Sequence, residues 1–111
     1  DGKAILYIQF ATNKSDLMPQ GVQAVEEIGK LLDENAELNL SIEGYTDDVG
    51  TDEHNYKLSL GRAQAVVEKL KQLNIDTNRL GIKGYGSAKP LAPNNSDENR
   101  AKNRRVEIVK F

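Results

Sequence analysis

Leu38-Asn39-Leu40-Ser41-Ile42-Glu43-Gly44 alternates apolar and polar residues without a break and then stops at a glycine. A period of two puts Leu38, Leu40 and Ile42 on one face of an extended chain and Asn39, Ser41 and Glu43 on the other, the pattern of a strand with one buried face. On either side of it the period changes to that of a helix. Upstream, from Pro19 onward, Val22, Val25, Ile28 and Leu32 recur at helical spacing, Ala24 and Leu31 widen the stripe, and Glu26, Glu27 and Lys30 fall on the other side. That helix is predicted to end near Asn35. Downstream, a polar loop from Gly44 to Asn55 leads to Leu58, Ala63, Val66, Val67, Leu70 and Leu73, again three or four apart, with Gln64, Glu68, Lys69 and Lys71 outward and Asn74 closing the helix.

Further out, Ala4 to Phe10 (AILYIQF) reads as a first strand, broken by the polar stretch Ala11 to Asp16. Leu80 and Ile82 mark a brief third strand before Gly84, Gly86 and Pro90, and Val106 to Phe111 supplies a last one. Between these two, Ser96 is placed to cap a short helix with Asp97 and Glu98 in its first turn. The order β, α, β, α, β and a final β predicts an α/β two-layer sandwich with both main helices on one face of the sheet. Strands separated by a helix are expected to run parallel through right-handed crossovers, and the last strand antiparallel to a neighbour, so the sheet is mixed. Residues 1–111 are read as a single domain.

Composition narrows the chemistry. Fifteen basic against seventeen acidic side chains give a net charge of −2, which supplies no field to draw the chain onto nucleic acid or an anionic membrane. The chain has no cysteine, which removes disulfides, thiolate nucleophiles and most structural zinc sites. No run approaches the ~20 apolar residues of a membrane span. The start at Asp1, directly on a strand-like run, is read as a piece trimmed at a domain boundary.

In such a fold the loops leaving the strands are where a ligand site is easiest to build. The loop after the second strand reads Gly44-Tyr45-Thr46-Asp47-Asp48-Val49-Gly50, and Asn55-Tyr56-Lys57-Leu58-Ser59-Leu60-Gly61-Arg62-Ala63 follows at the opening of the second helix. This stretch resembles the hallmark of the OmpA-like peptidoglycan-binding family, shared by OmpA, Pal and MotB-like proteins, whose pattern is G-H-T-D-x-x-G and then N-x-x-L-S-x-x-R-A. Phe10 to Leu17, Ile75 to Leu80 with Gly84-Tyr85-Gly86, and Asn103-Arg104-Arg105-Val106-Glu107 extend the resemblance over nearly the whole chain. Two positions depart from the pattern: Tyr45 where histidine is usual, and Asn99 where glycine is common.

The resemblance implies noncovalent, non-catalytic binding of peptidoglycan through the diaminopimelate of the stem peptide, with Asp47 and Arg62 as anchors. Diaminopimelate in a stem peptide keeps a free ammonium and a free carboxylate at its far end, so its recognition needs one fixed anion and one fixed cation close together. Aspartate is a short acceptor, and arginine presents a planar fork matched to a carboxylate. From a helix starting near Asn55, Arg62 reaches back over the preceding turn toward the loop. Spacing alone also allows Asp47 and Arg62 simply to pair with each other or with a third group. Thr46 and Asn55 are candidates that shape the loop by hydrogen bonds to backbone more than they touch ligand. The resemblance places Thr12 and Asn13 beside the site as further contacts.

Arg104 is expected to buttress the loop of Asp47, with Arg105 on the opposite face of the last strand. His54 reads as a solvated loop histidine, with no second histidine to complete a metal or acid–base cluster. Asp47, Asp48, Asp52 and Glu53 lack the spacing and central glycine of an EF-hand loop, which leaves calcium a minor alternative. No nucleophile with its base, no metal and no cofactor is indicated. The resemblance further implies a periplasmic domain of an outer-membrane-anchored protein, tethering the wall without itself entering a membrane. The competing reading is an envelope interaction module, dimeric in one form, that binds protein partners through a sheet edge or its helices.

Overall fold

The computed structural model describes residues 4–110. Strand β1 spans Ala4–Gln9, helix α1 Pro19–Glu34, strand β2 Leu40–Gly44 and helix α2 Asp52–Gln72. A 3₁₀ turn over Thr77–Arg79 leads into strand β3 at Leu80–Gly84, followed by the short helix α3 at Asp97–Asn103 and strand β4 at Arg105–Lys110. The sheet has the order β1-β4-β2-β3. β4 runs antiparallel to both β1 and β2, whereas β2 and β3 are parallel, paired from Leu40↔Leu80 to Gly44↔Gly84. The predicted mixed α/β sheet is therefore present. Its last strand inserts between the first two, so β1 and β2 point the same way without touching.

The helix-facing side of the sheet carries Ile8, Phe10, Leu40, Ile42, Val106 and Ile108, which pack against Val25, Ile28 and Leu32 of α1 and Ala63, Val66, Val67 and Leu70 of α2. Burying this many apolar side chains, at about 1.5–3 kcal/mol for each large one, is what offsets the ordering of the backbone. On the other side, Arg105 lies with its guanidinium 3.7 Å from the Tyr45 ring centroid, and Tyr45 stacks on Tyr85 at 5.1 Å. Glu43 and Glu107 face each other there across β2 and β4. Arg105 answers Glu107 at 2.7 Å, and the Ser41 hydroxyl donates to Glu43 at 2.7 Å.

Boundaries differ from the sequence reading in informative places. α2 begins at Asp52, where a loop to Asn55 is expected, because Thr51 caps it by accepting from the His54 N–H at 3.1 Å while Asp52 and Glu53 lie in the first turn. That turn has no apolar stripe to announce it, since its outer side faces solvent. β2 begins at Leu40, two residues after the alternation starts. The final strand is described as far as Lys110, and Phe111 lies outside the described residues. α3 is capped by Ser96, which accepts from the Asn99 N–H at 3.1 Å.

Close packing at the ends of β2 and β3 depends on glycine. A Cβ added at Gly44 would sit 1.9 Å from the Ser59 carbonyl oxygen of α2. The helix can rest on the strand end only if no side chain intervenes, and this contact brings the opening turns of α2 over the β2–α2 loop.

Candidate functional site

At the C-terminal ends of β1 and β2, the loops leaving both strands, the first turns of α2 and Arg104 enclose a cleft of about 310 Å³. Thr12, Asn13, Asp47, Asn55 and Arg62 all line it, so the structure brings together five of the residues singled out from the sequence. The sixth, Thr46, is not in the wall. It is buried beneath it, with its hydroxyl donating to the Asp47 carbonyl at 2.8 Å and its N–H to the Gly86 carbonyl at 2.8 Å. A larger groove of about 840 Å³ runs along the outer side of α1, but its polar side chains, such as Gln23, Glu26 and Lys30, are exposed helix-surface groups with no buried polar partner.

Arg62 forms the floor. Its residue exposure is 0%, and its guanidinium donates from Nε to the Lys14 carbonyl at 2.8 Å, from Nη1 to Tyr45 at 3.0 Å and from Nη2 to Ala11 at 3.0 Å. The fork thus staples the β1–α1 loop to the end of β2, with the Phe10 ring 5.4 Å away beneath it. None of the described carboxylates comes within ion-pair distance of it. Loss of hydration brings its pKa down to about 10, with nearby Arg104 acting in the same direction and Asp47 opposing both. At neutral pH it stays a cation. α2 starts a turn earlier than the sequence indicates, so Arg62 sits nearly three turns into the helix rather than two.

Asp47 is held from two sides. Its Oδ1 accepts from the Val49 N–H at 3.1 Å, and its Oδ2 lies 3.2 Å from Arg104 Nη1. Of the pairings that spacing left open, the one found is with this third group and not with Arg62. Arg104 also donates from Nε to the Phe10 carbonyl at 3.2 Å, so it ties the end of β1 to the Asp47 loop as expected of a buttress. Arg105 goes to the opposite side of the sheet, as the pleat requires.

Asn55 is 2% exposed, and its Nδ2 has no hydrogen-bond partner among the described residues. A buried amide donor without an acceptor costs about 1–3 kcal/mol, so a position of this kind in a cleft wall points to an acceptor supplied from outside the chain. His54 departs from its reading as a loop residue. It stands exposed in the first turn of α2, lines the cleft, and places Nε2 at 2.8 Å from Asn13 Oδ1 across the mouth. Since an amide oxygen only accepts, Nε2 is the donor. Asn13 itself adopts φ +57°, a left-handed conformation that asparagine tolerates better than most residues.

The sequence reading missed Val49, 60% exposed at the lip, and Leu58 in the wall. Val49 had one available signal, an apolar side chain in an otherwise polar loop. Asp48 is exposed and Glu53 pairs with Lys57 at 3.3 Å, and no three His, Asp or Glu side chains gather to hold a metal ion among the described residues.

A model of the OmpA family matches residues 9–104, which include every residue of this cleft. The chain belongs to the OmpA family. It is 34% identical over 102 residues to the probable lipoprotein YiaD of Escherichia coli K12, covering 92% of this chain and 47% of that protein. The peptidoglycan-binding protein ArfA of Mycobacterium bovis is also 34% identical over 102 residues, 92% of this chain and 31% of its own length. Among solved structures, the peptidoglycan-associated lipoprotein from Burkholderia pseudomallei superposes with a TM-score of 0.92 at 26% identity, covering 98% of this chain and 91% of that one. The chain thus spans less than half of each of these two curated proteins but nearly all of that solved chain. No helix among the described residues is long and apolar enough to cross a membrane.

Proposed function

We propose that this domain binds peptidoglycan noncovalently, taking the charged far end of a diaminopimelate residue into the cleft, with the ligand carboxylate against Arg62 and its ammonium against Asp47. The observation that carries this reading is Arg62 itself: a fully buried guanidinium whose hydrogen bonds go to three neutral carbonyls and, among the described residues, to no carboxylate. A buried cation is expensive without an anion, and a ligand carboxylate supplies one. Asp47 offers the ammonium a counter-charge that it shares with Arg104. Asn55 Nδ2 adds a donor for a ligand oxygen, and Thr12 and Asn13 line the wall formed by the first loop. Thr46 acts from beneath by holding the Asp47 backbone.

The names of two relatives agree with this reading, one a peptidoglycan-binding protein and one a peptidoglycan-associated lipoprotein. The reading is non-catalytic. The Ser59 hydroxyl donates to the Tyr56 carbonyl and accepts from the Gly86 N–H, hydrogen bonds to backbone rather than to a side-chain base that would activate it. In a longer envelope protein, a domain of this kind tethers the wall in the periplasm to whatever holds the rest of the chain at the outer membrane. Weak contacts repeated along one polymer suffice for that, because anchoring raises the effective concentration.

Co-sedimentation with diaminopimelate-containing sacculi tests the reading. The native domain is expected to pellet, soluble diaminopimelate to release it, and Asp47→Asn, shown folded by circular dichroism, to remain largely in the supernatant. Pelleting that is indifferent both to diaminopimelate and to Asp47→Asn would place the wall contact elsewhere.

A further inference from the structure

Among the described residues, the charged side chains lining the cleft are Asp47, Arg62 and Arg104, one anion against two cations. The wall therefore carries an excess of one positive charge in a chain whose net charge is −2. Its hydrogen-bonding capacity leans the same way. Asp47 is engaged by the Val49 N–H and by Arg104, whereas the Asn55 amide nitrogen is a buried donor with no partner among the described residues. The His54 bond occupies Asn13 Oδ1, so the remaining polar group of that side chain is its NH₂. Donors and positive charge outnumber acceptors and negative charge.

We propose that the cleft selects a free far-end carboxylate over the corresponding carboxamide, and that Arg104 is the residue that sets this selection. The inference rests on the reading that diaminopimelate enters the cleft. A carboxylate brings a negative charge and two acceptor oxygens to a wall of donors. A primary carboxamide brings no charge and one acceptor, and it turns N–H groups toward other N–H groups. Arg104 decides the balance because Asp47 and Arg62 without it sum to zero. Arg62 cannot serve as the adjustable member, since its fork is committed to three carbonyls that hold two loops together.

The test uses two soluble tetrapeptides, L-Ala-γ-D-Glu-meso-diaminopimelyl-D-Ala, one with the far-end carboxylate free and one with it amidated, titrated calorimetrically into the native domain, Arg104→Gln and Arg104→Lys. The native domain is expected to bind the free acid about tenfold or more tightly than the amide, the scale of one charge-assisted hydrogen bond. Arg104→Gln is expected to bring the two affinities close together, and Arg104→Lys to keep most of the difference. A residue that only braced the fold would weaken both peptides equally and leave their ratio unchanged, an outcome that overturns the role of Arg104. Equal native affinity for acid and amide overturns the selection while leaving the diaminopimelate reading intact. Binding of neither peptide sinks that reading and the inference with it. The native ratio decides the selection even if Arg104→Gln does not fold.

Discussion

Arg104 Nη1 lies 3.2 Å from Asp47 Oδ2, joining the residue after α3 to the loop after β2 across 57 positions of sequence. Asp47 is thereby aimed and partly neutralised by one arginine, while the other arginine of the cleft, Arg62, keeps its charge uncompensated by any carboxylate within ion-pair distance among the described residues. The two cations have different tasks. One orients the acid of the site, and the other forms its floor.

Asp47→Asn keeps an oxygen able to accept from the Val49 N–H but removes the only anion of the cleft wall among the described residues. Its stability cost is expected to be about 1 kcal/mol, whereas affinity for diaminopimelate-containing fragments should fall tenfold or more. Urea unfolding and calorimetric titration on the same preparation separate the two effects. A variant that binds as tightly as the native domain would remove Asp47 from the site.

Arg62→Lys preserves charge and loses the fork. A single ammonium cannot meet the Lys14, Tyr45 and Ala11 carbonyls in the directions that the guanidinium serves, so the two loops should loosen. A loss of about 2–4 kcal/mol in urea unfolding is expected, with greater amide hydrogen exchange over residues 11–14, and Arg62→Ala should cost at least as much. Unchanged exchange in the first loop would count against the staple.

Tyr45 yields a pH prediction. Burial foremost, then the nearby Glu107 and Glu43 carboxylates, raises its pKa well above the ordinary value of 10. A folded pKa above the unfolded one means that the contribution to stability is complete below pH 10 and is lost as pH rises from there toward the folded value. Of the chain's four tyrosines, Tyr45 should therefore be the one whose ionisation, followed by tyrosinate absorbance, coincides with alkaline unfolding. Tyr45→Phe should flatten the fall in stability above pH 10. A Tyr45 that titrates near 10 in the folded domain would remove this source of alkaline sensitivity.

Gly44→Ala places a methyl group where the Ser59 carbonyl oxygen already stands, 1.9 Å away. Either α2 lifts from the end of β2 or the strand end shifts, at about 1–3 kcal/mol. Because that shift moves the opening turns of α2, which carry Asn55 and Arg62, ligand affinity should fall together with the thermal midpoint. A fully stable Gly44→Ala protein would show that this approach is softer than its geometry implies.

The sequence by itself determined the elements and their layering. The alternation over Leu38 to Glu43 and the stripes of the two main helices were legible because burial of one face imposes a period that survives in any context. The resemblance carried by Asp47, Asn55 and Arg62 likewise pointed to the loop after β2 as the candidate site. Tertiary structure decided what each of these groups is bonded to. Arg104, rather than Arg62, is the partner of Asp47 because β4 inserts between β1 and β2 and delivers the residue before it to the same corner. His54 faces Asn13 because Thr51 starts the helix one turn early, and Thr46 drops below the wall because its hydroxyl and N–H are drawn to backbone. Periodicity records which face of an element is buried, but an ion pair or a lone amide donor depends on which distant segments meet, and that depends on the order of the strands.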